Sequence, residues 1–246
     1  MPSGTEQVAL AVYLALMGAG ALLFAVWSRD PKGVPAHEYG VAIFIPIWSG
    51  LAYFATMTGQ GIVEVAGREV YVARYLDWVV TTPLLLMALF WTATFRARTK
   101  RYALAGMLVG AQVVMILTGL IADLTVSPAL RTIWFLIGCA ALVAVFWIFW
   151  GPLRRIAALQ GPDLARAYGI AATYLTVQWC LYPLIVYAGP SHAGLIDRPV
   201  ETWLLVIVPF FSKVGFSFVD LWMLRRLPHG EEVEVFDPHT EKPLRA

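Results

Sequence analysis

Seven apolar stretches of about 20 residues set the pattern of the chain, separated by short polar or Gly- and Pro-containing segments. They run from Val8 to Trp27, Tyr39 to Thr58, Val70 to Ala93, Tyr102 to Leu124, Leu130 to Phe149, Ala165 to Tyr187, and Val200 to Leu224. A helix needs about 20 apolar residues to cross the hydrocarbon core of a bilayer. The pattern therefore predicts an all-α membrane protein, a bundle of seven transmembrane helices. The connections are read as loops over Arg29–His37, Gly59–Glu69, Phe95–Arg101, Thr125–Ala129, Gly151–Asp163 and Gly189–Pro199. No internal repeat and no soluble domain stands out. The first span has neither a basic leader nor a small-residue cleavage site and is read as a retained helix. The helical domain is expected over residues 1–228, with a short polar tail over 229–246 that is expected to be disordered.

Composition narrows the class. Of 246 residues, 59% are hydrophobic and 14% charged, with a net charge of +2, where soluble domains carry about 25% charged residues. Disorder, collagen and nucleic-acid binding are excluded by the same figures. Both cysteines, Cys139 and Cys180, sit inside apolar runs and are read as inert buried thiols rather than a disulfide framework. Lys and Arg mark one set of loops. Arg29 and Lys32 follow the first span; Arg96, Arg98, Lys100 and Arg101 follow the third; Arg154, Arg155 and Arg166 follow the fifth; Arg225 and Arg226 close the seventh. The opposite loops carry Arg68, Arg131 and Arg198. This bias predicts an extracellular N-terminus and a cytoplasmic C-terminus, in a multi-pass protein of the plasma membrane.

Ionisable residues at bilayer depth are costly and are functional candidates by default. Four stand out, Arg74 and Asp77 on the third span and Lys213 and Asp220 on the seventh. Of four lysines, Lys213 alone lies within a span, near its middle. Such a lysine calls for a carboxylate partner or for covalent use as a Schiff base; a purely structural ion pair is the plainer alternative. Arg74 and Asp77 share a face at i, i+3, where the arginine keeps the carboxylate ionised or simply neutralises it. Asp220 is two turns beyond Lys213, about 10 Å nearer the cytoplasm, either a buried relay or a carboxylate hydrated at the helix end. Pro209, at i−4 from the lysine, removes a backbone donor and loosens the helix there. Pro46, Pro83 and Pro183 are read as kinks.

The third span reads Arg74-Tyr-Leu-Asp-Trp-Val-Val-Thr-Thr-Pro-Leu-Leu-Leu86, and the seventh Val208-Pro-Phe-Phe-Ser-Lys-Val-Gly-Phe-Ser-Phe-Val-Asp220. With seven helices, these segments resemble the microbial (type 1) rhodopsins over essentially the whole chain. The resemblance implies all-trans retinal held as a protonated Schiff base on Lys213, with Asp77 as counterion and Thr81 as its hydrogen-bonding neighbour. It implies a ring cage of Trp78, Met115, Gly119, Phe135, Trp179 and Tyr182, with Gln112 near the ring. These residues alone would read as ordinary core packing. Phe135 stands where family members usually carry Trp.

Three departures bear on subtype. Pro209 replaces the second carboxylate of outward proton pumps, Ala88 falls at their cytoplasmic donor, and Asp220 supplies a carboxylate at the end of the seventh helix. This combination is similar to the xenorhodopsin group, which includes cyanobacterial sensory rhodopsin and inward proton pumps. Some inward pumps pair the seventh-helix aspartate with a second-helix histidine, and Trp48 and its neighbours offer none. Glu201 matches one carboxylate of the outward pumps' release pair, while Ser191 stands at the other, which argues against a fast release group. The resemblance thus implies a light-driven inward proton pump with membrane lipid around it, with a photosensor signalling to a separate soluble transducer as the alternative. An outward, chloride or sodium pump conflicts with the residues at 77, 81, 88 and 209. Resemblance also implies a homo-oligomer, a trimer. His192 is read as a solvated residue of an outer loop.

Overall fold

The computed structural model describes residues 2, 4–228 and 230–235. Its seven long helices are α1 (Gly4–Trp27), α2 (Ala36–Met57), α3 (Val72–Ala93), α4 (Tyr102–Leu124), α5 (Pro128–Leu159), α6 (Pro162–Ala188) and α7 (Arg198–Leu224), all apolar enough to cross a membrane. α5 runs ten residues beyond the predicted Phe149 and takes up much of the expected Gly151–Asp163 loop. Pro152 lies in a π-turn at Phe149–Leu153 that carries the helix past it, an accommodation that apolar periodicity does not report. The Gly59–Glu69 connection is also more ordered than expected. It holds a hairpin of β1 (Ile62–Val65) and β2 (Arg68–Tyr71), paired from Ile62↔Tyr71 to Val65↔Arg68. Its two turn residues, Ala66 and Gly67, both have positive φ, the geometry that matches the twist of a two-residue hairpin.

α3 and α7 are the inner helices. In each, 61% of the most apolar window is buried, against 28–39% in the other five. The outer helices turn large apolar side chains such as Leu22, Val143, Trp147 and Leu184 outward, as helices facing lipid do. The four ionisable residues singled out in the sequence lie on the two inner helices. Cys180, by contrast, is exposed on α6. The expectation of a buried thiol fails there because an apolar run on an outer helix presents part of its circumference to lipid.

The end carrying the basic loops is tied together by hydrogen bonds. The Arg96 guanidinium donates to both Asp163 oxygens, at 2.9 and 2.6 Å, and to the Pro228 carbonyl at 2.8 Å. Arg225 donates to the Asp30 carbonyl at 2.6 Å and to Tyr39 Oη at 2.7 Å. Disorder was expected from His229 onward; instead residues 230–235 dock on this surface. Val233 N–H donates to the Arg96 carbonyl, Arg98 N–H donates to that of Val233, and Val235 is fully buried. His229 and residues 236–246 of the expected tail lie outside the described residues.

Candidate functional site

Pro209 has no N–H to give the Leu205 carbonyl one turn back, and Tyr53 Oη on α2 donates to that carbonyl at 2.8 Å. Beyond the proline the helix widens into a second π-turn, Phe211–Gly215, with Lys213 at its centre. The Phe211 carbonyl receives the Tyr174 hydroxyl at 3.1 Å, just as the Phe149 carbonyl of the first π-turn receives Tyr168 at 2.7 Å. The sequence expectation of a loosened helix beside the lysine thus has a definite form.

Lys213 Nζ forms an ion pair with Asp77 Oδ2, both side chains being fully buried. Three hydroxyls complete the cluster. Nζ donates to Ser49 Oγ at 2.8 Å, and Ser49 Oγ donates to Asp77 Oδ2 at 3.0 Å. Tyr13 Oη shares a 2.7 Å hydrogen bond with Ser49 and lies 3.4 Å from Nζ. Thr81 Oγ1 reaches back to the Asp77 carbonyl at 2.8 Å and to Asp77 Oδ1 at 3.2 Å. Buried charges persist only when paired and hydrogen-bonded, and this pair is both.

Arg74 is placed differently from expectation. Among the described residues no ion pair joins it to Asp77. Its guanidinium lies over the Tyr71 ring, 5.1 Å from the centroid, and faces the charges of Glu201 and Asp123. The i, i+3 spacing gives a shared helix face, but a long arginine reaches away along that face. Glu201 is buried, 3.3 Å from Arg198; Ser191 is buried too, and its carbonyl accepts from Arg131 at 2.5 Å.

A largely apolar cavity lies beside the ion pair, with about 680 Å³ of space between atoms, part of it at an open rim. Trp78, Met115, Gly119, Phe135, Trp179 and Tyr182 all line it, as do Gln112 and Cys139. Its wall meets the charged cluster at two points. Trp78 follows Asp77 in the chain, and Tyr182 Oη shares a 2.8 Å hydrogen bond with Ser212, next to Lys213. Gln112 Nε2 donates to Thr82 Oγ1 at 2.8 Å, while its Oε1 is buried without a partner among the described residues. An elongated apolar ligand tethered at Lys213 fits this arrangement.

His192 is not solvated as expected. Its ring is half-buried, 5.0 Å from that of Phe135. Burial, reinforced by Arg131 and Arg68 and opposed by Asp123, holds the imidazole below its ordinary value of 6.5. The unfolded chain therefore binds the proton more readily, and stability is lost as pH falls through about 6.5 to below the folded value. Melting of the wild-type protein should drop between about pH 7 and pH 5 more than that of His192→Gln; equal drops would count against this.

Toward the basic end, Asp220 is buried rather than hydrated, and Thr92 Oγ1 donates to its Oδ1 at 2.7 Å. Along α3 and α7, Leu85 and Phe216 lie between this pair and Lys213–Asp77, both fully buried and in one apolar cluster with Leu175 and Trp179. Sequence reading missed Tyr13, Ser49, Thr92 and Glu38. The available signal was the stripe Glu38, Ala42, Ile45, Ser49, Tyr53 and Thr56, buried along α2 at helical spacing with polar members in an otherwise apolar span.

Seven membrane helices, an inner lysine–aspartate pair and an apolar cavity at its side define a membrane protein built to hold a long apolar group on a lysine. The bacteriorhodopsin-like protein family profile matches residues 4–227, and the chain belongs to that family. Archaerhodopsin-1 of Halorubrum ezzemoulense is 32% identical over 219 residues, covering 87% of this chain and 82% of the relative. Sensory rhodopsin-2 of Natronomonas pharaonis is 29% identical over 223 residues, 90% and 91% of the two chains. The crystal structure of thermophilic rhodopsin from Rubrobacter xylanophilus superposes with a TM-score of 0.84 at 32% identity, covering 89% of this chain and 95% of that one. Members of the family bind retinal through a Schiff base on a lysine; here that lysine is Lys213. The protein is a light-driven transporter or photoreceptor of the cell membrane, not an enzyme.

Proposed function

We propose that the protein is a light-driven inward proton pump of the xenorhodopsin group, oriented with its basic loops in the cytoplasm. The observation that carries this reading is Asp220, a buried carboxyl on the lysine's own helix toward the basic end, hydrogen-bonded by Thr92, while Pro209 and Ala88 offer no carboxyl. Retinal supplies light absorption and an isomerisation that reorients the proton on the Lys213 nitrogen. In the dark Asp77 balances the charge on that nitrogen, with Thr81 and Ser49 orienting the carboxylate and Arg74 adding positive potential nearby. Reorientation separates the nitrogen's proton from Asp77 and weakens its hold. The proton passes to Asp220 across the apolar layer of Leu85 and Phe216, and the nitrogen is reprotonated from the outer side near Asp77. Trp78, Met115, Gly119, Phe135, Trp179 and Tyr182 position the ring and chain of the chromophore, and Pro209 lowers the local helix rigidity.

The similarity to sensory rhodopsin-2 supports the alternative, a photosensor that signals through a separate soluble transducer. The external pH of unbuffered cells expressing the protein with retinal separates the two. Illumination should alkalinise the medium, and a protonophore should abolish the change. No pH change from cells with a visible pigment would favour the sensor, and acidification would overturn inward transport.

A further inference from the structure

The first turn of α2 carries a carboxyl that the mechanism above leaves unused. Glu38 is 3% exposed, and its Oε1 is buried with no hydrogen-bond partner among the described residues. A glutamate at a helix start beside the membrane surface has water within reach and a favourable dipole. Turning inward leaves that oxygen without a donor, which is costly for a buried acceptor. Glu38 nevertheless turns inward, on the helix that packs against the segment of α7 bearing Asp220, and the two buried carboxyls act on each other electrostatically. Lys100, in the α3–α4 connection, acts on Glu38 from the loop side and is itself met by Glu232 of the docked 230–235 stretch. Burial holds Lys100 below the ordinary lysine value, with Glu38 and Glu232 opposing. His37, the neighbouring titratable group, is turned edge-on to the Trp91 ring at 4.4 Å. From the ion pair toward the basic end the groups therefore run Lys213, Asp220 with Thr92, Glu38, then Lys100 with Glu232.

We infer that Glu38 is the proton station between Asp220 and the water at the basic end, the two carboxyls forming a relay that holds one proton between them. This rests on the inward-transport reading. Two buried carboxyls in mutual reach titrate as a pair, and the pair begins with one proton and one negative charge. On transfer, the N–H bond at Lys213 breaks, its electron pair stays on nitrogen, and an O–H bond forms on Asp220. The relay then holds two protons and no charge. Glu38 gives one proton to a water at the basic end, which leaves as hydronium, and Lys100 favours the carboxylate that returns.

The test uses purified, retinal-loaded protein in lipid nanodiscs under flash excitation. Absorbance follows proton loss from the Lys213 nitrogen, and pyranine follows proton arrival in bulk water. Glu38→Gln should keep the first step and slow the second by at least about tenfold, and Glu38→Asp should restore it. Unchanged timing and yield of the bulk proton in Glu38→Gln would overturn the inference. If Asp220→Asn leaves nitrogen deprotonation unchanged, the inward-transport reading fails instead. Wild-type protein labelled with ¹³C-glutamate gives a check that needs no variant. A glutamic-acid carbonyl band must change during release, and its absence would overturn the inference whatever the fate of the variants.

Discussion

On the inward-transport reading, Asp220→Asn is expected to keep a visible pigment and lose most light-driven proton uptake. The substitution is nearly isosteric, and its amide oxygen still accepts the Thr92 hydroxyl that now lies 2.7 Å from Asp220 Oδ1. The bundle and the chromophore cavity are therefore undisturbed. What disappears is the carboxyl proposed to take the proton from the Lys213 nitrogen. Positioned acids and bases contribute about 10²–10⁴ in rate, so a loss of at least about tenfold in photocurrent is expected even where water partly substitutes. Asp220→Glu, which keeps the carboxyl, should retain a measurable current. A wild-type photocurrent in Asp220→Asn would remove this residue from the mechanism.

Asp77→Asn acts at the other end of the path and on the pigment itself. The pair Lys213–Asp77 is fully buried, and its remaining partners, Ser49, Tyr13 and Thr81, are neutral hydroxyls. Pro209 supplies no second carboxylate, and Arg74 carries the wrong sign. Removing one partner of a buried ion pair costs about 3–5 kcal/mol, a factor of about 10² to 10⁴ in a protonation equilibrium. Retinal-loaded Asp77→Asn should therefore show its absorbance in the near ultraviolet at neutral pH, with the visible band recovered only in acid. A wild-type visible band at neutral pH would mean that another anion balances Lys213.

What was legible in the chain follows from how much each residue departs from its surroundings. A single mid-span lysine and an aspartate in an apolar run are rare enough to stand out as candidates; that they pair was legible only through resemblance, and they meet. The cavity residues were legible only through resemblance, because aromatic and Met side chains in a membrane bundle look the same whether they enclose a ligand or one another. Hydroxyls were not legible. Ser49 and Tyr13 carry no charge, and although the polar stripe of α2 marks a buried face, nothing in it tells that this face meets the lysine. Glu38 was hidden by position, since a carboxylate in a first turn reads as solvated. The hairpin at Ile62–Tyr71 was masked by its glycines, which mark a turn and a flexible loop alike. Arg74 shows the opposite limit, because spacing on a helix places Cα atoms and leaves the end of a long side chain free.

The wide turn at Phe211–Gly215 has a mechanical meaning for the whole bundle. A regular helix transmits twist rigidly from end to end, so turning its middle residue turns both halves. Here the backbone ladder has slack where the reactive nitrogen is anchored, and Tyr53 and Tyr174 pin two carbonyls ahead of it, those of Leu205 and Phe211. Torque generated at Lys213 is therefore expected to be taken up within one turn, with the segment that bears Asp220 able to rotate as a separate piece.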